Sequence, residues 1–439
     1  MNIVSRRAVL AVFAASTAGA LAACAQAPST TGSAATFTPS SDLAAPGSTI
    51  PPVSVKAAFP PWGDELLGVA GIDDGYYQAV GITITPEPYG AQQDLLMNLT
   101  PLINGQVELG GGYVPSIANQ IDNVQNVVGF AVSDVSYVYR IVAPTGKYRT
   151  VAQEMKAGAT FTEALTTVMA QLKGQKLICV EGGSPLFRNT VAEAAGLDLD
   201  QDVDIEFLAN PDLVKAGFAG KADFLSPSSA GFVVQLQQKG WEPLVDLRQV
   251  IDNLPSEETL PLRFTYSGLV TTTDYAQDNF ETLLRFTSVI YRLIDEMEAD
   301  PEATAAKFVD YLNSYTGTDL TAKELAGSFD DIYSLRNFDR ATEFYTDQSD
   351  PFFYESVATA NLAVLAGQGV IGQGHTPDEL SIAGKVYAAL VRYRQEADKA
   401  LAAAPDSDLK QQAQTHYDAR NYLDAYRFAA ASTAAAGQN

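Results

Sequence analysis

Histidine and cysteine are nearly missing from this chain: it holds two of each in 439 residues, His375 and His416, Cys24 and Cys179. Two histidines so far apart argue against a zinc centre and against a histidine-centred triad, since both need such residues brought together. No metal site, no cofactor and no catalytic residue is expected. Basic residues are few as well, with 28 Lys and Arg against 52 Asp and Glu, a net charge of −24. Nucleic acid needs a basic face, so it is set aside as a partner, and a polybasic membrane patch has no support. A hydrophobic content of 46% with 18% charged residues excludes a disordered chain and fits a soluble globular protein of two or three domains.

The one apolar run near the start, residues 8–20, is too short for an ordinary membrane-spanning helix. Arg6 and Arg7 precede it, and Leu21-Ala22-Ala23-Cys24 closes it. Small residues before a single cysteine resemble the lipobox of bacterial lipoproteins, whose cysteine takes lipid, such as palmitate, and becomes the mature N-terminus. The stretch 5–10 also resembles a twin-arginine export signal, with general secretion as the other route. The expectation is a signal peptide over 1–23, a lipidated Cys24 and a Ser-, Thr-, Ala- and Pro-rich tether over 24–52. The mature chain would then sit outside the cytoplasmic membrane on a lipid anchor. Cys179, in the apolar run 177–180, would be left without a disulfide partner and would pack as a small hydrophobe.

From residue 53 the pattern is α/β. Strands are expected over 53–59 and 81–85, with helices over 66–77 and 92–104, leading into Gly105-Gln106-Val107-Glu108-Leu109. The stretch 172–229 repeats this order. Leu177-Ile178-Cys179-Val180 reads as a buried strand, Gly182-Gly183 as a turn, and Ser184-Pro185 as a helix start. Phe187 and Val191 recur at helical spacing, and Gly196 stops the helix. Such a turn suits one half of a ligand cradle, because backbone N–H groups and the helix dipole face open space there. It also suits an ordinary strand-turn-helix unit. The echo ends in Gly220-Lys221-Ala222-Asp223-Phe224 and is too widely spaced for a solenoid. Two similar α/β lobes fit it, with a ligand cleft where their strand ends face each other.

The segments PPWGDELLGVAGIDDGYYQAVGITI, NGQVELGGGYVPSIA, LKGQKLICVEGGSPLFRNTVAEAAGLD and AGKADFLSPSS, in this order and spacing, resemble the periplasmic solute-binding proteins of ABC importers. The nearest group takes up nitrate, aliphatic sulfonates and thiamine pyrimidine precursors. The resemblance extends through LVTTTDYAQDNFETLLRFTSVIYRLIDEMEADPEATAAKFVDYL and covers 53–374. It implies a two-lobed, hinged type II binding-protein fold, a small-molecule solute, ABC permease subunits as partners and a monomer. Receptors for ion-driven importers, sensors and, last, a pyrimidine-synthase-like enzyme are the alternatives.

The ligand contacts it implies, together with candidates read from the residues, are Trp62, Asp64, Gly112, Tyr113, Ser133, Asp134, Ser184, Arg188 and Ser228. Trp62 suits stacking on a flat ring or plugging the lobe's edge. Arg188 suits pairing with a sulfonate or carboxylate, or a solvated helix face. The acids Asp64, Glu65, Asp134 and Glu181 speak against a simple inorganic anion. The solute expected is an organic one, sulfonate- or pyrimidine/aromatic-like, with an anionic end at Arg188 and Ser184. The lobes are expected at 53–145, 146–267 and, returning, 268–375. Two long alanine-rich helices, 380–403 and 409–431, would form a hairpin over 376–439.

Overall fold

The computed structural model describes residues 37–437 apart from 61, 94–98, 125 and 181–183. The expected lipidation at Cys24 and the turn Glu181-Gly182-Gly183 lie outside the described residues, as does the middle of the helix expected over 92–104.

Eleven strands among the described residues alternate with helices: β1 (Val53–Ala58), β2 (Ile82–Thr85), β3 (Leu109–Tyr113), β4 (Val127–Ser136), β5 (Arg140–Pro144), β6 (Lys176–Cys179), β7 (Asp204–Phe207), β8 (Phe224–Ser226), β9 (Trp241–Asp246), β10 (Tyr266–Thr272) and β11 (Tyr333–Leu335). They form two sheets, ordered β11-β4-β10-β3-β1-β2 and β7-β6-β8-β5-β9. In the first, β2, β1 and β3 run parallel, and β10 lies antiparallel to both β3 and β4. In the second, β7, β6 and β8 run parallel, and β5 lies antiparallel to both β8 and β9. The successions β2-β1-β3-β10-β4 and β7-β6-β8-β5-β9 are therefore the same. In each sheet the reversed strand is the first one laid down after the chain crosses over from the other sheet.

The outward crossover is short. Only residues 137–139 separate β4 from β5, so β5 belongs to the second sheet, ahead of the expected boundary at 145/146. Ile141, Val142 and Ala143 are buried there and pair with β9. The return passes through the 3₁₀ turn Leu260–Arg263 into β10, which opens two residues before the expected 267/268 boundary. The passage 146–172 folds as helices Val151–Lys156 and Phe161–Met169. Each starts in a capping box, Thr150 with Gln153 and Thr160 with Glu163. Phe161, Leu165, Val168 and Met169 are buried and share a core with Leu177, Cys179 and Phe187. In the first lobe, the helix Phe280–Ala299 buries Leu283, Phe286, Ile290, Leu293 and Ile294, which share a core with Phe59 and Tyr77. No described helix is long and apolar enough to cross a membrane.

Two segments differ from expectation. The second C-terminal helix breaks into Asp408–Asp418 and Tyr422–Ala436, after the first, Ala383–Ala403. Arg420 sits between them in the left-handed region, φ 64°. The break seats Asp424 against Arg285 (Nε to Oδ2 2.8 Å, Nη2 to Oδ1 3.0 Å) and Tyr422 against Phe338. The other difference is in the expected tether, which from Phe37 onward lies on the first lobe and its C-terminal helices. Phe37 is buried against Phe280, with ring centroids 5.3 Å apart. Lys385 donates to the Phe37 carbonyl (3.0 Å), and the Ala44 N–H donates to the Tyr393 hydroxyl (2.9 Å). One large aromatic in a run of small residues supplies the apolar area that holds the strap.

Candidate functional site

A cavity of about 660 Å³ opens between the two sheets. The first lobe lines it with Trp62 and Asp64 after β1, Tyr113 at the end of β3, Ser136 at the end of β4, Ser267 in β10 and Tyr333 in β11. The second lobe lines it with Ser184, Leu186 and Asn189 after β6, Phe207 and Asn210 at and after β7, and Ser228 and Phe232 after β8. The crossover segments add Val138, Tyr139, Leu262 and Phe264, and the helix Tyr354–Gly367 adds Asn361, Val364 and Leu365. Parallel strands β1 and β3 of the first lobe and β6, β7 and β8 of the second thus end at the cavity, as the strand-end rule expects.

Each second-lobe turn is held by short local bonds. Ser184 accepts a hydrogen bond from the Phe187 N–H (3.1 Å) and so caps the helix Pro185–Ala194. Asn210 accepts from the Ser228 N–H (3.1 Å) and donates to the Ser228 hydroxyl (3.2 Å), tying the β7 and β8 turns together. Tyr113 and Tyr139 join their hydroxyls across the mouth of the hinge, 3.1 Å apart.

Beneath the first-lobe edge lies a group of buried acids. Asp64 and Glu65 are 6% exposed and Asp134 fully buried. Burial pushes the Asp64 carboxyl up, opposed by hydrogen bonds from Ser267 and Tyr333. Burial, and then the charges of Asp64 and Asp134, hold Glu65 well above the ordinary carboxylate range. Asp134 is raised well above it too, by burial and by Asp64. The Ser133 hydroxyl donates to Asp134 Oδ2 (2.8 Å), and the Gly268 N–H to Glu65 Oε1 (3.3 Å). The described residues include no group of His, Cys, Asp and Glu arranged to hold a metal ion.

Of the nine expected contacts, Trp62, Asp64, Tyr113, Ser184 and Ser228 line the cavity, whereas Gly112, Ser133, Asp134 and Arg188 are not among its lining residues. Each departure has a physical reason. A Cβ on Gly112 would stand 2.6 Å from the Val270 methyls, so this glycine serves the close approach of β3 and β10. Ser133 and Asp134 are buried within β4, whose cavity edge is reached only at Ser136. Arg188 is 5% exposed beside Phe187 in its helix, with its guanidinium 5.9 Å from the centroid of the Phe207 ring. Phe207 lines the cavity, and the Arg188 charge acts on the lining residue Tyr139 without Arg188 itself being among the lining residues. Cys179 is fully buried, and burial pushes its thiol up to about 11. Sequence reasoning missed Tyr139, Phe207, Asn210 and Tyr333. Asn210-Pro211 carried the one usable signal, a cap-type residue opening a helix right after a strand.

No protein-family model and no curated protein matches the sequence. Solved structures match in shape. The ligand-binding component of an ABC-type import system from Staphylococcus aureus, with zinc bound, is 10% identical, with 76% of this chain and 98% of that one covered, at a TM-score of 0.50. The periplasmic aliphatic sulphonate-binding protein SsuA from Escherichia coli is 16% identical over 75% of this chain and 92% of that one, at 0.49. The desulfurization enzyme DszB is 11% identical over 77% and 99%, at 0.44. The first likeness establishes the two-lobed fold of periplasmic binding proteins, and the fold alone.

Proposed function

We propose that this chain is an extracytoplasmic, lipid-anchored receptor that captures a small organic solute between its lobes and delivers it to the permease of an ABC importer, without chemical change. The observation that carries the reading is the cavity of about 660 Å³ between two sheets of one topology, with both sheets' strand ends lining it. That volume suits a single small molecule. Solute touching both edges contacts more protein when the lobes are shut, so binding shifts the population toward closure. The segments at 137–139 and 260–265 are the places where such a motion would bend. Anchoring rests on the Leu21-Ala22-Ala23-Cys24 stretch, and delivery to a permease on the sequence resemblance and on the fold.

The chain carries two tryptophans. Trp62 lines the cavity, and Trp241 is buried in the second lobe's core. Solute binding is therefore expected to change intrinsic fluorescence, and Trp62→Phe to abolish the change. Solute extracted from the purified protein after denaturation should be chemically intact by mass spectrometry. Turnover of a bound molecule, or a response that survives Trp62→Phe, would count against capture in this cavity.

A further inference from the structure

We infer that the solute carries a cationic group, an ammonium or amidinium on an apolar or aromatic body, seated at Asp64 among Trp62, Tyr113 and Tyr333. The inference rests on the capture reading and names its solute class; it replaces the anionic end expected at Arg188. The first support is the charge of the lining. Among the described residues lining the cavity, Asp64 is the one with a formal charge, and none is Lys, Arg or His. The undescribed residues inside the folded part are Pro61, Asp94-Leu95-Leu96-Met97-Asn98, Gln125 and Glu181-Gly182-Gly183, and none of these is a cation.

The second support is an uncompensated set of buried acids. Asp64, Glu65 and Asp134 are each more than nine-tenths buried. Among the described residues none of the three makes an ion pair, and Asp134 Oδ1 has no hydrogen-bond partner. Arg336 acts on Asp134 only at longer range. Its guanidinium pairs with Glu343 (2.9 Å) and donates to the carbonyl of Leu335 (3.2 Å). Buried carboxyls without a counter-charge are costly, and a cation that brings its own charge offsets that cost. The third support is the ring faces. Tyr333 hydrogen-bonds Asp64, Tyr113 lies within reach of its charge and Trp62 stands two residues before it; all three line the cavity, and aromatic rings attract cations. A sulfonate or carboxylate placed there would meet carboxyl groups instead.

The test is a binding titration of the mature chain with a charge-matched set. Tryptamine and 2-phenylethylamine are the cations, tryptophol and 2-phenylethanol the neutral partners, 3-phenylpropionate and phenylmethanesulfonate the anions. Each amine is expected to bind about tenfold or more tightly than its alcohol, and neither anion is expected to bind. Asp64→Asn is expected to erase the amine-over-alcohol ratio while leaving the alcohols bound. Its melting temperature, read alongside, is expected to hold or rise, because a desolvated carboxyl is removed. Should Asp64→Asn fail to fold, Tyr333→Phe gives the same readout through a partner of Asp64, with a reduced ratio expected. Binding by the anions, or an amine-over-alcohol ratio near one in the native chain, overturns the cationic class and leaves capture standing. An unchanged ratio in a folded Asp64→Asn overturns the assignment to Asp64. Binding by none of the six overturns the inference, and a wider solute screen that also gave none would take the capture reading with it.

Discussion

At the cavity edge of the first sheet, β1 and β3 end in Trp62, Asp64 and Tyr113, backed by Glu65 and Asp134. At the matching edge of the second sheet, β6, β7 and β8 are followed by Ser184, Asn210 and Ser228. One edge concentrates buried acid and ring faces; the other offers hydroxyls and an amide tied by short local bonds. The strand succession is the same, so the difference lies in what each turn carries. It teaches a division of labour. On the reading proposed above, the first lobe would set which charge is admitted, and the second would supply the neutral surface that closes over it. The scaffolding differs too. The first lobe is clasped by the strap from Phe37 and the three C-terminal helices; the second is covered by the two short capped helices over 146–172.

The clasp gives the largest expected effect. Arg285 and Asp424 are both buried and doubly bonded, and Arg427 also pairs with Asp424 at 2.8 Å. Removing Arg285 leaves the buried Asp424 still paired with Arg427 and hydrogen-bonded by Asn421, so the cost is at most that of a fully stranded buried charge, about 3–5 kcal/mol. Arg285→Ala should lower the urea midpoint by an amount matching that loss, yet leave solute affinity of the folded protein unchanged, since neither residue lines the cavity. A loss of affinity equal to the loss of stability would mean that the clasp and the cavity edge are not separate.

A smaller effect distinguishes the lobes by pH. Asp64, Glu65 and Asp134 are faced by Ser133, Ser267, Tyr113 and Tyr333, with Arg336 farther off, and all three carboxyls titrate above their ordinary range. The folded state thus holds protons that the unfolded chain has released. Stability from this source is fully present below the unfolded carboxylate value of about 4 and is lost as pH rises through the folded values. The double variant Glu65→Gln with Asp134→Asn should flatten that fall in denaturant midpoints taken from about pH 5 to about pH 8. His375 contributes in the same direction and is untouched by the substitution. Burial lowers its pKa, but its hydrogen bonds to the carboxylates of Glu379 and Asp122 more than offset this and hold it above its ordinary value. An equal slope in the variant and native chains would remove the acids as its cause.

The lobes themselves were legible because strand and helix periods, glycine stops and the repeated order survive in the bare sequence. Trp62, Asp64, Tyr113, Ser184 and Ser228 were legible as cavity residues because each lies in a turn after a strand or at a strand's end. The rest depends on pairing across long distances. Tyr333 reaches the cavity because β11 adds to the outer edge of β4, with Tyr333 opposite Ser136, and nothing local at 333 announces that register. Tyr139 depends on the crossover occupying only three residues. Ser133 and Asp134 were misplaced because β4 runs on to Ser136 before it meets the cavity. Arg188 was misplaced because its helix faces the second lobe's core at that turn, where Phe187 and Val191 are also buried.

The smallest effect belongs to the neutral edge. Ser184 is half-buried, and its hydroxyl accepts from the Phe187 N–H at 3.1 Å, so it is a cap as well as a lining residue. Losing such a cap costs about 1 kcal/mol. Ser184→Ala should lower stability by that amount, whereas Ser184→Asp should restore the cap and place a carboxylate on the edge that otherwise has no charge among its described residues. If the two edges divide labour as argued, the aspartate variant folds as well as the native chain and binds the amines of the matched set at least as tightly. Weaker amine binding in a fully stable Ser184→Asp would mean that the second lobe tolerates no charge of either sign, and that closure over the solute depends on a neutral face.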